Sequence, residues 1–432
     1  MPVGHPTAFL GLSHLGIISG AGWASSGESV LGLDVDARVV DALRRGVPPV
    51  HEPGLAELLH RHRDRLRFTT DFSLLKDCPL VVIARDVPTD AGNASDLGPV
   101  HELADQAIPH LAPGVALVVM SQVPPGFTRA LGGRIRSRRP DLSFHLYSWV
   151  ETLIFGQAVE RFLKPERLII GCADPAAPIA TALEDGLKRF GCPILPMRYE
   201  SAELTKTAIN LYLCAAVTYA NTFSDLCEAV GADWSEMVPA LRLDRRIGPA
   251  AYIRPGLGIA GGNLERDMVT LRDLCGTTRV DGAFIETLLA YNQRRPGWVR
   301  RKLQEHVFAQ DAHPVIAVWG LAYKKNTRST KNSMSLRVIE EIRGRAEVRA
   351  YDPVIKAGDV AVAAKIMDER DEALAGADCL LILTDWEEFA VPPPEAVRVM
   401  RRPLILDCVG VVDLARADLR GVRYIGMGRP NT

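Results

Sequence analysis

Short apolar runs alternate along this chain with longer stretches of mixed apolar and polar positions. Thr7–Leu10, Val30–Leu33 and residues 80–84, 115–120 and 168–171 are rich in aliphatic side chains. Such runs read as buried parallel strands, and the stretches between them as crossover helices. A second series begins near Pro314: the strand Val315–Trp319, a helix over 336–342, a strand over 348–351 closed by Asp352, then strands over 379–383 and 404–406. Residues 201–230 contain neither Gly nor Pro and predict one helix of about 45 Å at a rise of 1.5 Å per residue. Ser201 suits its N-cap and Gly231 its stop. A helix of this length predicts a spine between two domains and a dimer surface.

Composition narrows the class. A chain of 432 residues is too long for one ordinary core, and 47% hydrophobic with 24% charged residues describes a globular protein. The mean hydropathy of +0.04 agrees. With 51 basic and 52 acidic residues, the net charge of -1 excludes a general polyanion surface, so no nucleic-acid partner is expected. No apolar run reaches bilayer length, and residues 1–6 lack a basic region followed by a hydrophobic one, so the expectation is a cytoplasmic protein with no membrane partner. The eight cysteines form no C-x-x-C pair, which predicts neither a metal site nor a disulfide framework.

The first apolar run ends in Gly11-Leu-Ser-His-Leu-Gly16, and the second ends at Asp34. This is the layout of a dinucleotide site: a tight turn, a helix N-terminus for a pyrophosphate, and a carboxylate about 20 residues on for the ribose hydroxyls. Ser13 replaces the middle glycine and offers a hydroxyl to phosphate. An ordinary strand–helix turn without ligand has the same pattern. Asp34 favours NAD over NADP, with Arg38 nearby as the opposing signal. Gly11, Ser13, His14, Leu15, Gly16, Asp34 and Arg38 are therefore the cofactor candidates, His14 as a packing or phosphate-side residue. The second series lacks a full glycine fingerprint and predicts a different ligand. The fold expected is α/β: two Rossmann-like, doubly wound domains (1–198 and 312–432) joined by a long central helix and a helical dimerisation region (199–300).

Four stretches carry candidate chemistry. Lys206 and Asn210 are four apart and share one helix face, although a lone lysine there reads equally as a solvated one. Pro255-Gly-Leu-Gly-Ile-Ala-Gly-Gly-Asn263-Leu-Glu-Arg-Asp267 is a glycine-dense loop that can wrap a ligand or merely connect two elements. Gly320-Leu-Ala-Tyr-Lys324 places a lysine at the C-terminal edge of a parallel strand, and Val150-Glu151-Thr-Leu-Ile-Phe155-Gly156 is the fourth.

In this order, together with Gly32-Leu-Asp-Val-Asp36, His51-Glu-Pro-Gly54, Phe162-Leu-Lys-Pro-Glu-Arg167, Tyr351-Asp-Pro353 and Thr384-Asp-Trp-Glu-Glu-Phe389, these stretches resemble the UDP-glucose/GDP-mannose dehydrogenase family over nearly the whole chain. The resemblance implies an NAD domain, a central dimerisation region giving a homodimer, and a domain for a nucleotide-diphosphate sugar. It implies oxidation of the sugar C6 alcohol to a carboxylate in two hydride transfers. It places Lys206, Asn210, Asp267 and Glu151 around the reacting carbon, and Gln122 and Lys331 on the cofactor. Phe155, Arg246, Tyr252, Gly258, Gly261 and Lys324 fall on the substrate, Arg246 as the arginine that reaches a partner subunit's substrate.

The pattern breaks where the chemistry is densest. Four residues before Asp267, where the family has its nucleophilic cysteine, stands Asn263. An amide cannot form a thiohemiacetal. The second glutamate of the family's acid/base segment is Phe155, a threonine expected after Ser121 is Gln122, and Lys331 stands for an arginine. Three readings follow. The chain is a dehydrogenase of two-electron or unconventional four-electron stoichiometry, a redox-neutral epimerase using bound NAD, or a non-catalytic nucleotide-sugar binder.

Overall fold

The computed structural model describes residues 5–90 and 92–430. Residues 1–4, at the start of the stretch read for a leader, lie outside the described residues. The chain packs into two compact units, Met1–Ile209 and Asn210–Thr432.

The first unit is built on an eight-stranded sheet in the order β3-β2-β1-β4-β5-β6-β7-β8. Its strands are β1 (Thr7–Leu10), β2 (Val30–Leu33), β3 (Leu66–Thr69), β4 (Leu80–Ile83), β5 (Val115–Val119), β6 (Phe144–Val150), β7 (Leu168–Cys172) and β8 (Ile194–Arg198). Among the described strands of this sheet only β6 and β7 pair antiparallel. Every residue of β1, β2, β4 and β5 is buried, as strands covered by helices on both faces must be. The second unit carries a six-stranded parallel sheet, β11-β10-β9-β12-β13-β14. Its strands are β9 (Val315–Trp319), β10 (Glu347–Tyr351), β11 (Lys365–Ile366), β12 (Cys379–Ile382), β13 (Leu404–Asp407) and β14 (Arg423–Gly426). Both sheets thus repeat the doubly wound 3-2-1-4-5-6 order, each with a switch point beside its first strand. Trp319 and Phe389 pack at 5.3 Å in the second core, and burying each such ring contributes about 1.5–3 kcal/mol.

One helix spans Tyr199–Val230. It starts directly after β8, so Ser201 lies inside its first turn rather than at its N-cap, and the Ser201 carbonyl accepts a bond from Thr205 Oγ1 at 2.7 Å. Gly231, at φ +77°, ends the helix as its composition predicts. The boundary between the two compact units falls within this helix. Among the described residues no helix is long and apolar enough to cross a membrane.

Candidate functional site

The glycine turn of the first unit has the geometry of a dinucleotide seat. Gly11 sits at φ +92°, a conformation that side chains other than glycine's disfavour, and a Cβ on Gly16 would lie 1.7 Å from the Gly11 carbonyl oxygen. The helix His14–Ser25 therefore starts directly on the turn. Asp34, at the end of β2, is 1% exposed and accepts from Leu12 N at 2.6 Å, Asp36 N at 3.0 Å and Arg85 Nη1 at 3.2 Å. A carboxylate has about four lone-pair positions, so three donors leave one for a ribose hydroxyl. The turn and Asp34 thus fit the NAD-type cofactor. The exposed Arg38 turns away to the half-buried Asp36 carboxylate, at 3.1 Å from Nε and 2.9 Å from Nη2, and does not sit on Asp34. The Ser13 hydroxyl accepts from Asp86 N at 2.8 Å, and Leu15 N donates to Asp86 Oδ2 at 3.1 Å.

His14 joins the turn to the acid/base segment. Its Nε2 lies 2.8 Å from Glu52 Oε2, and its ring stacks on Phe155 at 4.1 Å and 27°. Glu52 also accepts from Gly156 N at 3.0 Å and Ala158 N at 2.8 Å. Burial pushes the Glu52 carboxyl upward, but the bonds from His14 and the two amides outweigh it and leave the group below the ordinary glutamate value. Phe155, where the resemblance expects a glutamate, thus covers the histidine that contacts Glu52 instead of offering a carboxylate.

On the same unit Lys206 Nζ is 2.8 Å from Glu151 Oε1 and 3.0 Å from the Glu151 carbonyl, both side chains being 12% exposed. Leu153 N fixes the other carboxylate oxygen at 2.8 Å. Gln122, Glu151, Glu203 and Lys206 line a cavity of about 20 Å³, space for one water. Glu203 accepts from Gly126 N at 2.6 Å and Thr128 N at 2.8 Å, and burial raises its carboxyl above the usual range.

On the second unit Asn210 Nδ2 donates to Asp267 Oδ2, and Arg266 Nε approaches Asp267 Oδ1 at 3.3 Å, all three side chains buried. Asn263 is the first residue of the helix Asn263–Thr278, half-buried at the end of the glycine loop. The loop is folded by side chains from elsewhere. Asn292 pins Ile259 through its amide at 2.6 Å and its carbonyl at 3.0 Å, and Asn332 holds the Gly261 carbonyl at 3.0 Å. Both asparagines also donate to Glu265, whose burial raises its carboxyl above the usual range. A Cβ on Gly258 would meet Asn292 Oδ1 at 2.4 Å, and one on Gly261 the Tyr323 ring at 2.8 Å, so these two glycines shape the loop through close packing.

Lys324 Nζ lies over the Tyr323 ring at 5.6 Å. The Lys331 chain passes 3.9 Å from a Cβ built on Gly262, and its charge helps to stabilise the Glu265 carboxylate. Lys331 thus stands beside the glycine loop of its own unit. Arg246 is exposed and paired with Asp244 at 2.7 Å, and Tyr252 is exposed too. Among the described residues no group of three or more His, Cys, Asp or Glu side chains is placed to hold a metal ion.

Residue-by-residue reading of the sequence missed Glu52, Arg85, Asp86, Glu203, Glu265, Asn292 and Asn332. Glu52 lies in the quoted His51-Glu-Pro-Gly54 run, and the charged pair Arg85-Asp86 directly follows an apolar strand. Those were the available signals.

Comparison with known proteins agrees with this geometry. The model of the UDP-glucose/GDP-mannose dehydrogenase family, NAD binding domain, matches residues 6–184, that of the family's central domain 200–294, and that of its UDP binding domain 317–414. The UDP-glucose 6-dehydrogenase TuaD of Bacillus subtilis is 30% identical over 438 residues, covering 98% of this chain and 93% of that protein. The UDP-glucose 6-dehydrogenase of Pseudomonas aeruginosa is 30% identical over 445 residues, covering 98% and 97%. A solved UDP-glucose dehydrogenase from Pyrobaculum islandicum superposes with a TM-score of 0.83 at 28% identity, covering 99% of both chains. The chain belongs to the UDP-glucose/GDP-mannose dehydrogenase family, NAD-dependent oxidoreductases of nucleotide sugars.

Proposed function

We propose that this protein uses NAD to oxidise the C6 alcohol of a UDP-glucose-like nucleotide-diphosphate sugar, and that it stops after two electrons. NAD supplies the hydride acceptor. The Asp267 carboxylate, oriented by Asn210, takes the alcohol's proton. The Lys206 ammonium, oriented by Glu151, stabilises charge developing on the oxygen. Lys324 suits the substrate diphosphate.

Asn263 carries the two-electron part of the reading. The residue opening the helix Asn263–Thr278 has no thiol to capture an aldehyde. Cys214, one helical turn past Asn210, offers no replacement: burial, with Asp267 and Glu265 adding to it, pushes its thiol up to about 12. It remains a protonated, unreactive group at neutral pH.

The test is stoichiometry. The pure protein, incubated with NAD and a panel of nucleotide sugars, should release one NADH per sugar and an aldehyde. Two NADH per sugar with a uronate would overturn the two-electron reading. Asn263→Cys probes the same point: a second NADH and a uronate on restoring the thiol would mean that Phe155 and Gln122 leave the rest of the machinery intact, and a single NADH would mean that the loss extends beyond Asn263.

The domain division proposed is 1–198, 199–300 and 312–432, in a cytoplasmic protein. Tyr212, Tyr219, Leu226 and Val230 stand exposed along one stripe of the long helix, an apolar surface that a second copy of the chain would cover. Light scattering of the wild type against Tyr219→Glu should show a dimer converting to a monomer.

A further inference from the structure

The helix His14–Ser25 has no acidic residue in its first turn, and the Ser13 side chain does not cap it. Its anion arrives from 71 residues away: the Asp86 carboxylate accepts the amide of Leu15, while the Asp86 backbone is anchored on Ser13 Oγ. Arg85 crosses the same crevice. Its Cβ lies 2.8 Å from where a Gly11 side chain would begin, its amide donates to Ser121 Oγ at 2.9 Å, and its guanidinium reaches Asp34. Two adjacent residues at the end of β4 therefore engage both features that a dinucleotide needs, the helix amide and the ribose carboxylate.

We propose that Arg85 and Asp86 are built-in occupants of the cofactor seat, which a dinucleotide must displace, and that they set its affinity. The inference rests on the reading of the turn as an NAD seat. Asp86 places a negative charge where the pyrophosphate brings its own, so binding breaks the Leu15–Asp86 bond and moves the carboxylate away. The Arg85 side chain is 31% exposed and leaves Asp34 by rotation alone, which makes it the smaller obstacle.

Calorimetric titration of the full-length protein tests this with NAD, ADP-ribose and adenosine as probes. Asp86→Gly should tighten NAD and ADP-ribose by roughly tenfold, equivalent to ~1.4 kcal/mol, and leave adenosine unchanged. Asp86→Asn, which keeps the shape and removes the charge, should fall between, and Arg85→Val should give a smaller gain. The Asp86 variants should melt at lower temperature than wild type, because the helix loses its charged cap, while binding diphosphates more tightly. A purely structural Asp86 would lower both. Unchanged or weaker NAD binding in Asp86→Gly and Asp86→Asn would overturn the proposal, and wild-type turnover with NAD would then leave the functional reading standing. If no variant binds NAD at millimolar concentration, both fall.

Discussion

The two parallel sheets open their switch points in the same way and fill them differently. In each, the first strand ends at a glycine of positive φ, Gly11 at +92° and Gly320 at +101°, and the second strand ends at a buried aspartate, Asp34 or Asp352. Asp34 has three donors, one of them a side chain that can swing away. Asp352 has five: the amides of Leu321, Ala322, Val354 and Ile355 between 2.7 and 3.1 Å, and the Trp386 ring nitrogen at 3.4 Å. With about four lone-pair positions on a carboxylate, Asp352 is saturated by its own fold. The same arrangement of glycine and aspartate is thus a seat in one unit and a latch in the other. The donor count separates them.

Removing the two carboxylates would break this contrast most forcefully. Asp352→Ala leaves four backbone amides and an indole without their acceptor, and the loss of unfolding free energy should be about 4 kcal/mol. Asp34→Ala strands two amides and frees an arginine that reaches solvent, so its cost should be about half as large. Urea unfolding of both variants measures the pair. Equal losses would mean that the latch and the seat are energetically alike.

A methyl group at each glycine gives a smaller effect of the same sign. At Gly320 it would meet Thr384 Cβ and Oγ1 at 2.5 Å, and Thr384 is tied to the Ala322 carbonyl at 2.8 Å. At Gly11 its first contacts are Arg85 Cβ at 2.8 Å, Arg85 Cα at 3.0 Å and the end of Leu103 at 3.0 Å, a looser set. Gly320→Ala should therefore cost about 3 kcal/mol and Gly11→Ala about 2 kcal/mol, both through strain at positive φ and overpacking. Thermal melts would show the order, and a reversed order would place the tighter switch point in the first unit.

How much of this was legible in the sequence follows from what each element has to bury. β1, β2 and β9 were bounded to the residue, because strands covered on both faces must be apolar end to end. β3, β8, β11 and β14 left no such trace, since each sits at a sheet edge and mixes exposed positions with partly or fully covered ones. Asp34, Lys206, Asn210 and Asp267 were reached as candidates through spacing and resemblance. Asp86 was not: its contact with Leu15 spans 71 residues, and no local period encodes it. Glu265 was hidden for the same reason, since its partners Asn292 and Asn332 arrive from two distant segments.

Glu52 and Glu265 give the finest test, because their carboxyls are displaced in opposite directions. Glu52 is held below its ordinary value, so its contribution to stability is fully present above the unfolded pKa, about 4.3, and is lost as pH falls through the folded value. Glu265 is pushed above its ordinary value by burial, so the folded state favours its protonated form. Its contribution is present below about 4.3 and is lost as pH rises through the folded value. Replacing either by glutamine removes the titration. The stability gap between wild type and Glu52→Gln should narrow toward acid, while the gap for Glu265→Gln should narrow toward neutral pH. Denaturant titrations from about pH 2 to 8 read both slopes, Glu52 on the acid side of about 4.3 and Glu265 above it. Two slopes of the same sign would mean that the amides around Glu265 outweigh its burial, which would make it a second carboxylate stabilised by its charge rather than one strained by it.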